Sequence, residues 1–216
     1  MQLGKTLSLG AKDIFSAEVI GFVLKVGLGS IVAWVGVLYI YWGEFLAIIS
    51  SYLGFIPWEW LKTTGSAIAT LLVGYMLIII TISILTSLYS EPLLKSLAKK
   101  HYGMEATGSP NPMTSMIINI KASLVFMGLF LLLLPLLFVP ILGQVVMLYI
   151  WSILLREPTI YDVGTLFVND KERLKDKSKR ARVLAMIASL FNYIPVLNIF
   201  AAIYAQILFM HHILND

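Results

Sequence analysis

Few of the 216 residues offer chemistry by type and spacing. Pro135 and Pro140 lie in one long uncharged stretch, and Pro195 lies near the middle of a second. Proline removes a backbone donor and clashes with the preceding turn, so a helix breaks there. A helix that restarts leaves its first N–H groups unpaired and partly positive. Such an end holds an anion without a buried formal charge. After Pro140 these donors are expected near Gly143 and Gln144, and after Pro195 near Leu197 and Asn198. A plainer reading also stands: the prolines form turns, and the Gln144 and Asn198 amides satisfy loose carbonyls. Lys25 lies inside the first apolar segment, where a charge costs roughly 3 kcal/mol unless its long stem reaches the interface. It is either a snorkelling anchor or part of an anion path. Glu91 precedes Pro92 at a helix end, placed to pair with Lys95, to cap the next helix or to couple a proton.

Other chemistry is not expected. The chain has no cysteine, so thiol nucleophiles, disulfides and thiolate-bound metals are excluded. No two carboxylates share a span, and neither a His-Glu-x-x-His motif nor a glycine-rich phosphate loop occurs. No catalytic residue, cofactor or metal site is therefore expected, and the chain does not read as an enzyme. His211 and His212 are adjacent, so on a helix they diverge by about 100° and make a poor metal pair. Seven cations between Lys171 and Arg182 alternate with Asp170, Glu172 and Asp176. That pattern suits a solvated face near anionic phospholipid. Without interleaved aromatic residues it does not suit nucleic acid.

These residues need a membrane scaffold to position them. The chain is 59% hydrophobic and 13% charged, with mean hydropathy +0.87, which fits an integral membrane protein. The expected fold is all-α in a single membrane domain, residues 1–216. Residues 1–18 space Leu3, Leu7, Ala11 and Ile14/Phe15 as one apolar face, which predicts an amphipathic interfacial helix. Residues 19–42 and 67–89 are expected as spanning helices, and 43–62 as an interfacial segment broken by Pro57. The stretch 19–42 is longer than a signal-peptide core and reads as a true span.

Residues 123–155 and 183–213 are 33 and 31 residues long. One crossing needs about 20 residues and two with a turn need roughly 40, so neither run fits. Each is expected as a re-entrant helix pair, bent at proline and returning to its starting face. Val139-Pro140-Ile141-Leu142-Gly143 and Ile194-Pro195-Val196-Leu197-Asn198 echo one another, a weak sign of shared origin. Charge supports the same topology. Of 16 Lys and Arg, 14 lie in residues 1–18, 90–121 and 156–182. Positive loops stay cytoplasmic. The segments 90–121 and 156–182 are therefore expected as cytoplasmic loops, with both termini cytoplasmic.

The order Glu91-Pro92-Leu93, Pro140-Ile141-Leu142-Gly143, Tyr161-Asp162 with Gly164 and Phe167, then Ile194-Pro195-Val196-Leu197-Asn198 resembles the CysZ-like sulfate permeases of bacteria. Those share a domain with the etoposide-induced proteins of eukaryotes. The resemblance covers roughly residues 12–212. It implies two spanning helices with two hemi-penetrating pairs, a homo-oligomer, and movement of sulfate through the bacterial inner membrane for cysteine synthesis. The sulfate branch carries a Gly-Leu-Arg stretch before its first span. The aligned residues here are Glu18-Val19-Ile20-Gly21, with Lys25 the nearest cation. Two functions from different classes follow: a permease or channel for sulfate or a similar oxyanion, or a scaffold whose basic loops bind lipid or partner proteins.

Overall fold

The helices start and stop where the sequence supplies caps and breakers. A computed structural model describes residues 3–55, 57–137, 139–194 and 197–215. The chain opens with α1 (Leu3–Ile14) and α2 (Ala17–Ile40), the second capped by the Ser16 hydroxyl, which accepts from the Val19 N–H. Next come α3 (Trp42–Tyr52), α4 (Glu59–Tyr89) and α5 (Glu91–Tyr102). Gly103, at φ 61°, closes α5 in the left-handed conformation that glycine adopts freely. Helix α6 (Pro112–Leu132) starts at Asn111, whose side chain accepts from the Met113 and Thr114 N–H groups. Pro112 fills the first helical position, where its missing donor is harmless. Then follow α7 (Leu134–Leu137), α8 (Leu142–Phe167), α9 (Lys171–Ser178) and α10 (Ala181–Ser189). Two 3₁₀ turns, Leu190–Tyr193 and Leu197–Phe200, lead into α11 (Ala201–Leu214). The described residues contain no strand.

Both long apolar runs are interrupted. The first breaks after Leu132 and again between α7 and α8; in the second, α10 ends at Ser189 and gives way to a 3₁₀ turn followed by extended backbone at Ile194. Pro135 falls within α7, and Pro140 falls in the turn before α8. Pro195 and Val196 lie outside the described residues. The helices also reach beyond the apolar runs. Helix α4 begins at Glu59, α6 at Pro112, and α8 continues past Arg156 and Pro158 to Phe167. Composition marks where charge appears, whereas helix ends follow caps and packing.

Among the described residues, four helical stretches are long and apolar enough to cross a membrane: Ala17–Ile40, Glu59–Tyr89, Pro112–Leu132 and Leu197–Leu214. The first three expose large apolar side chains, among them Leu28, Val32, Leu71 and Leu124. Such surfaces suit lipid. The fourth is different. Every residue from Ala201 to Ile213 is buried, so α11 is the protein's central post. Helices α1, α5, α8 and α10 pack around it. A second core of Met76, Ile79, Phe126, Phe130, Met147 and Trp151 joins α4, α6 and α8. Trp34 on α2 donates to Thr81 on α4 at 2.8 Å, tying the first two apolar helices together.

Helix α1 buries part of the expected face, Ile14 with Leu3 and Leu7 packed against the core, together with residues outside that face. Thr6, Gly10, Asp13 and Ile14 point inward, while Ala11 and Phe15 are exposed. A Cβ on Gly10 would come within 2.6 Å of Leu208, so the missing side chain lets α1 approach α11 closely. The position of Asp13 is decided by partners remote in sequence, which the apolar periodicity of α1 does not reveal.

Candidate functional site

The two interruptions meet around one cavity. Its volume is about 260 Å³, and its walls include Tyr75 from α4, Phe130 from α6, Gly143, Gln144 and Trp151 from α8, and Tyr193 from the first 3₁₀ turn. Tyr193 donates to the Gln144 carbonyl and packs edge-on against Trp151, with ring centroids 5.0 Å apart. The Asn198 amide donates to the Tyr75 hydroxyl at 3.0 Å, and that hydroxyl donates to the Asn192 carbonyl at 3.3 Å. Gly143 and Gln144 thus line the cavity, and Asn198 reaches its wall only through the Tyr75 hydroxyl.

The donors differ from those expected. The Gly143 N–H is engaged by the Val139 carbonyl at 2.8 Å, and the Leu197 and Asn198 N–H groups by the Ile194 carbonyl at 3.1 and 3.2 Å. Tight turns thus engage the Gly143, Leu197 and Asn198 donors, three of the four expected. Side chains supply the polar groups instead. The Trp151 Nε1 is buried beside the cavity with no hydrogen-bond partner among the described residues. An orphaned buried donor of this kind costs about 1–3 kcal/mol. Ile141, at φ 65°, holds strained backbone just before α8. A β-branched residue rarely adopts that conformation, and such strain concentrates at functional turns. The cavity carries no formal charge; its polar walls are neutral hydroxyl, indole and amide groups.

Gly21 and Lys25 are four residues apart on α2 and share a face. Lys25 is exposed, and nothing approaches Gly21 within 4 Å of a built Cβ. Gly27 lies about 200° around the helix from Lys25. A Cβ on Gly27 would be 3.1 Å from Ile199, so α2 touches the second turn through its other side. The structure therefore does not bring Gly21 or Lys25 to the cavity. Glu91 pairs with Lys95 at 2.6 Å and accepts from Ser109 at 3.0 Å, fixing the segment before α6.

Two further polar clusters escaped sequence reasoning. Asp162 on α8 is buried and accepts from Ser87, from Ser115 at 2.7 Å and from Gln206 at 3.3 Å, linking α4, α6, α8 and α11. Asp13 lies between two imidazoles: Oδ1 is 2.7 Å from His101 Nε2 and Oδ2 is 2.9 Å from His211 Nε2. Burial opposes its charge, but hydrogen bonds and charge from His211 and His101 prevail and hold the carboxyl below the usual carboxylate range. Burial, and then the Asp13 charge, pushes the Tyr102 phenol up to about 12. A buried Asp within an amphipathic helix was the one available sequence signal. His211 meets His101 and not its neighbour His212. His212 faces a charged groove with Asp170, Arg173, Lys177 and Arg180.

Comparison with known families gives one result. A family model described as Sulfate transporter CysZ/Etoposide-induced protein 2.4 matches residues 6–202. No curated protein and no solved structure gave a match. The matched span includes α2 to α10 and both turns that line the cavity, and it stops at the second residue of α11. The chain is a multi-pass membrane protein and belongs to the Sulfate transporter CysZ/Etoposide-induced protein 2.4 family.

Proposed function

We propose that this protein is a permease or channel for sulfate or a similar small oxyanion in the bacterial inner membrane. It supplies sulfur assimilation and works as a homo-oligomer. The observation that carries this reading is the orphaned Trp151 N–H beside a cavity built from both interrupted runs of a sulfate-transporter family member. An oxyanion entering there trades part of its hydration for neutral donors, the Trp151 indole N–H and the Gln144 amide. Neutral donors hold an anion loosely enough to release it, which conduction requires. In this reading each interrupted run enters the lipid and returns to the cytoplasmic face, placing both termini and the basic segments inside. Non-helical backbone at depth is tolerated only against protein or water, and the turns before α8 and α11 are packed that way. The Gly21 and Lys25 face of α2 is exposed and serves a neighbouring subunit or gathers anions at the entrance.

Uptake of radiolabelled sulfate into liposomes holding the purified protein tests the proposal. Flux above that of empty vesicles is expected. Flux equal to empty vesicles, with folded protein present, would favour the lipid- or partner-binding scaffold.

A further inference from the structure

We propose that Asp13, His101 and His211 form a binding site for a zinc-class divalent metal ion, joining α1, α5 and α11. The three side chains come from three elements that are distant in sequence, and their ligand atoms all lie within 4.8 Å of one another. Two imidazoles and one carboxylate are a donor set that suits zinc and its neighbours in the first transition row. Both histidines present the same nitrogen, Nε2, each toward a different oxygen of one carboxylate.

The dimensions fit with small movements. A tetrahedral zinc with bonds near 2.1 Å separates its ligand atoms by about 3.4 Å, and two imidazole nitrogens with one Asp13 oxygen, all within 4.8 Å of one another, reach that spacing by small side-chain rotations. Each imidazole then binds through the Nε2 lone pair and carries its proton on Nδ1. For His211 that proton has an acceptor in place, because the Tyr102 hydroxyl lies 2.8 Å from Nδ1. An outer hydrogen bond of this type fixes the tautomer and the ring orientation of a metal-bound histidine. His211 and Asp13 are buried, while the His101 side chain is 20% exposed, which gives the ion a way in and leaves the fourth position to water. The site shares no residue with the cavity between the turns, and His211 lies beyond the stretch matched by the family model. Its effect is to fasten the first and last helices of the chain to one another.

Cobalt(II) titration of the purified, detergent-solubilised full chain tests this, with zinc as competitor. One equivalent should give the visible absorption of a four-coordinate cobalt site, and zinc should remove it. His101→Gln should weaken cobalt binding more than a hundredfold, and Tyr102→Phe by about 10–100-fold. His212→Gln should leave binding unchanged, because His212 faces the separate charged groove. Zinc should raise the thermal midpoint of the wild-type protein and not that of His101→Gln. Absence of the band would overturn the site and leave Asp13 as a hydrogen-bonded bridge. A band that survives His101→Gln, or that is lost in His212→Gln, would also overturn it. Should His101→Gln not be recovered folded, imidazole NMR of the wild type decides. Zinc should shift two of the three histidines and spare His212; a shift of none, or of His212, would contradict the site.

Discussion

The Asp162 carboxylate ties four helices together. Three donors from α4, α6 and α11 converge on its carboxylate. Hydrogen bonds to a charged acceptor contribute about 1.5–3 kcal/mol each, and removing the acceptor leaves buried donors orphaned. Asp162→Ala is therefore expected to cost about 3 kcal/mol or more and to lower the thermal midpoint in detergent clearly. Asp176→Ala is the matched reference: its ion pair with Lys179 is exposed on both sides and screened by solvent, so its loss should leave the thermal midpoint essentially unchanged. Equal effects of the two would contradict the assigned role. Lys25 makes a different prediction. It is exposed on α2 and away from the cavity, so in the proposed permease its part is to draw anions in by charge at a distance. Lys25→Ala should raise the half-saturating sulfate concentration several-fold and leave maximal flux unchanged; flux unaltered at every concentration would leave Lys25 as an anchor only. The sequence marked Lys25, Gln144 and Asn198 because charge and amides stand out in apolar surroundings. Trp151 and Asp13 stayed hidden, since what distinguishes them is a missing or a remote partner.

At the scale of elements, the segment between α5 and α6 depends on one glycine. The Thr107 and Gly108 N–H groups both donate to the Leu166 carbonyl near the end of α8, at 2.9 and 3.2 Å. A Cβ on Gly108 would fall on the Thr165 carbonyl oxygen, a backbone atom that cannot swing aside. Gly108→Ala should undock this segment and cost about 1–3 kcal/mol. Hydrogen exchange of the Thr107 and neighbouring amides should rise in the variant, and unchanged protection would contradict the packing. Helix existence was legible from apolar length and from prolines, and both interrupted runs are interrupted in the structure. Helix extent was not. Helix α6 starts early because Asn111 and Pro112 form a cap, and α8 runs through Pro158 because burial among α10 and α11 outweighs the proline's cost. The buried face of α1 was legible only in Leu3, Leu7 and Ile14: hydrophobic periodicity reports an average preference for lipid or core, whereas Gly10 and Asp13 face inward for close approach and for polar partners.

For the whole molecule, the charge distribution reads out orientation better than any contact does. Fourteen of the 16 Lys and Arg lie in segments assigned to the cytoplasm. A single cysteine at Lys175 in intact cells should react with an impermeant thiol reagent only after the cytoplasmic side is opened; reaction from outside would reverse the orientation. Membrane character and all-helical class were plain from composition. The way α11 threads the centre was not, because a wholly apolar helix reads the same in lipid as in a protein core.

The account rests on anions reaching the cavity between the two turns. The absence of native cysteine allows a single one at Gln144, beside Trp151. Its reaction with a membrane-impermeant thiol reagent should proceed in the protein embedded in vesicles, and sulfate should slow it in a saturable way while chloride does not. A cysteine there that never reacts, or that reacts at a rate indifferent to sulfate, would contradict the account.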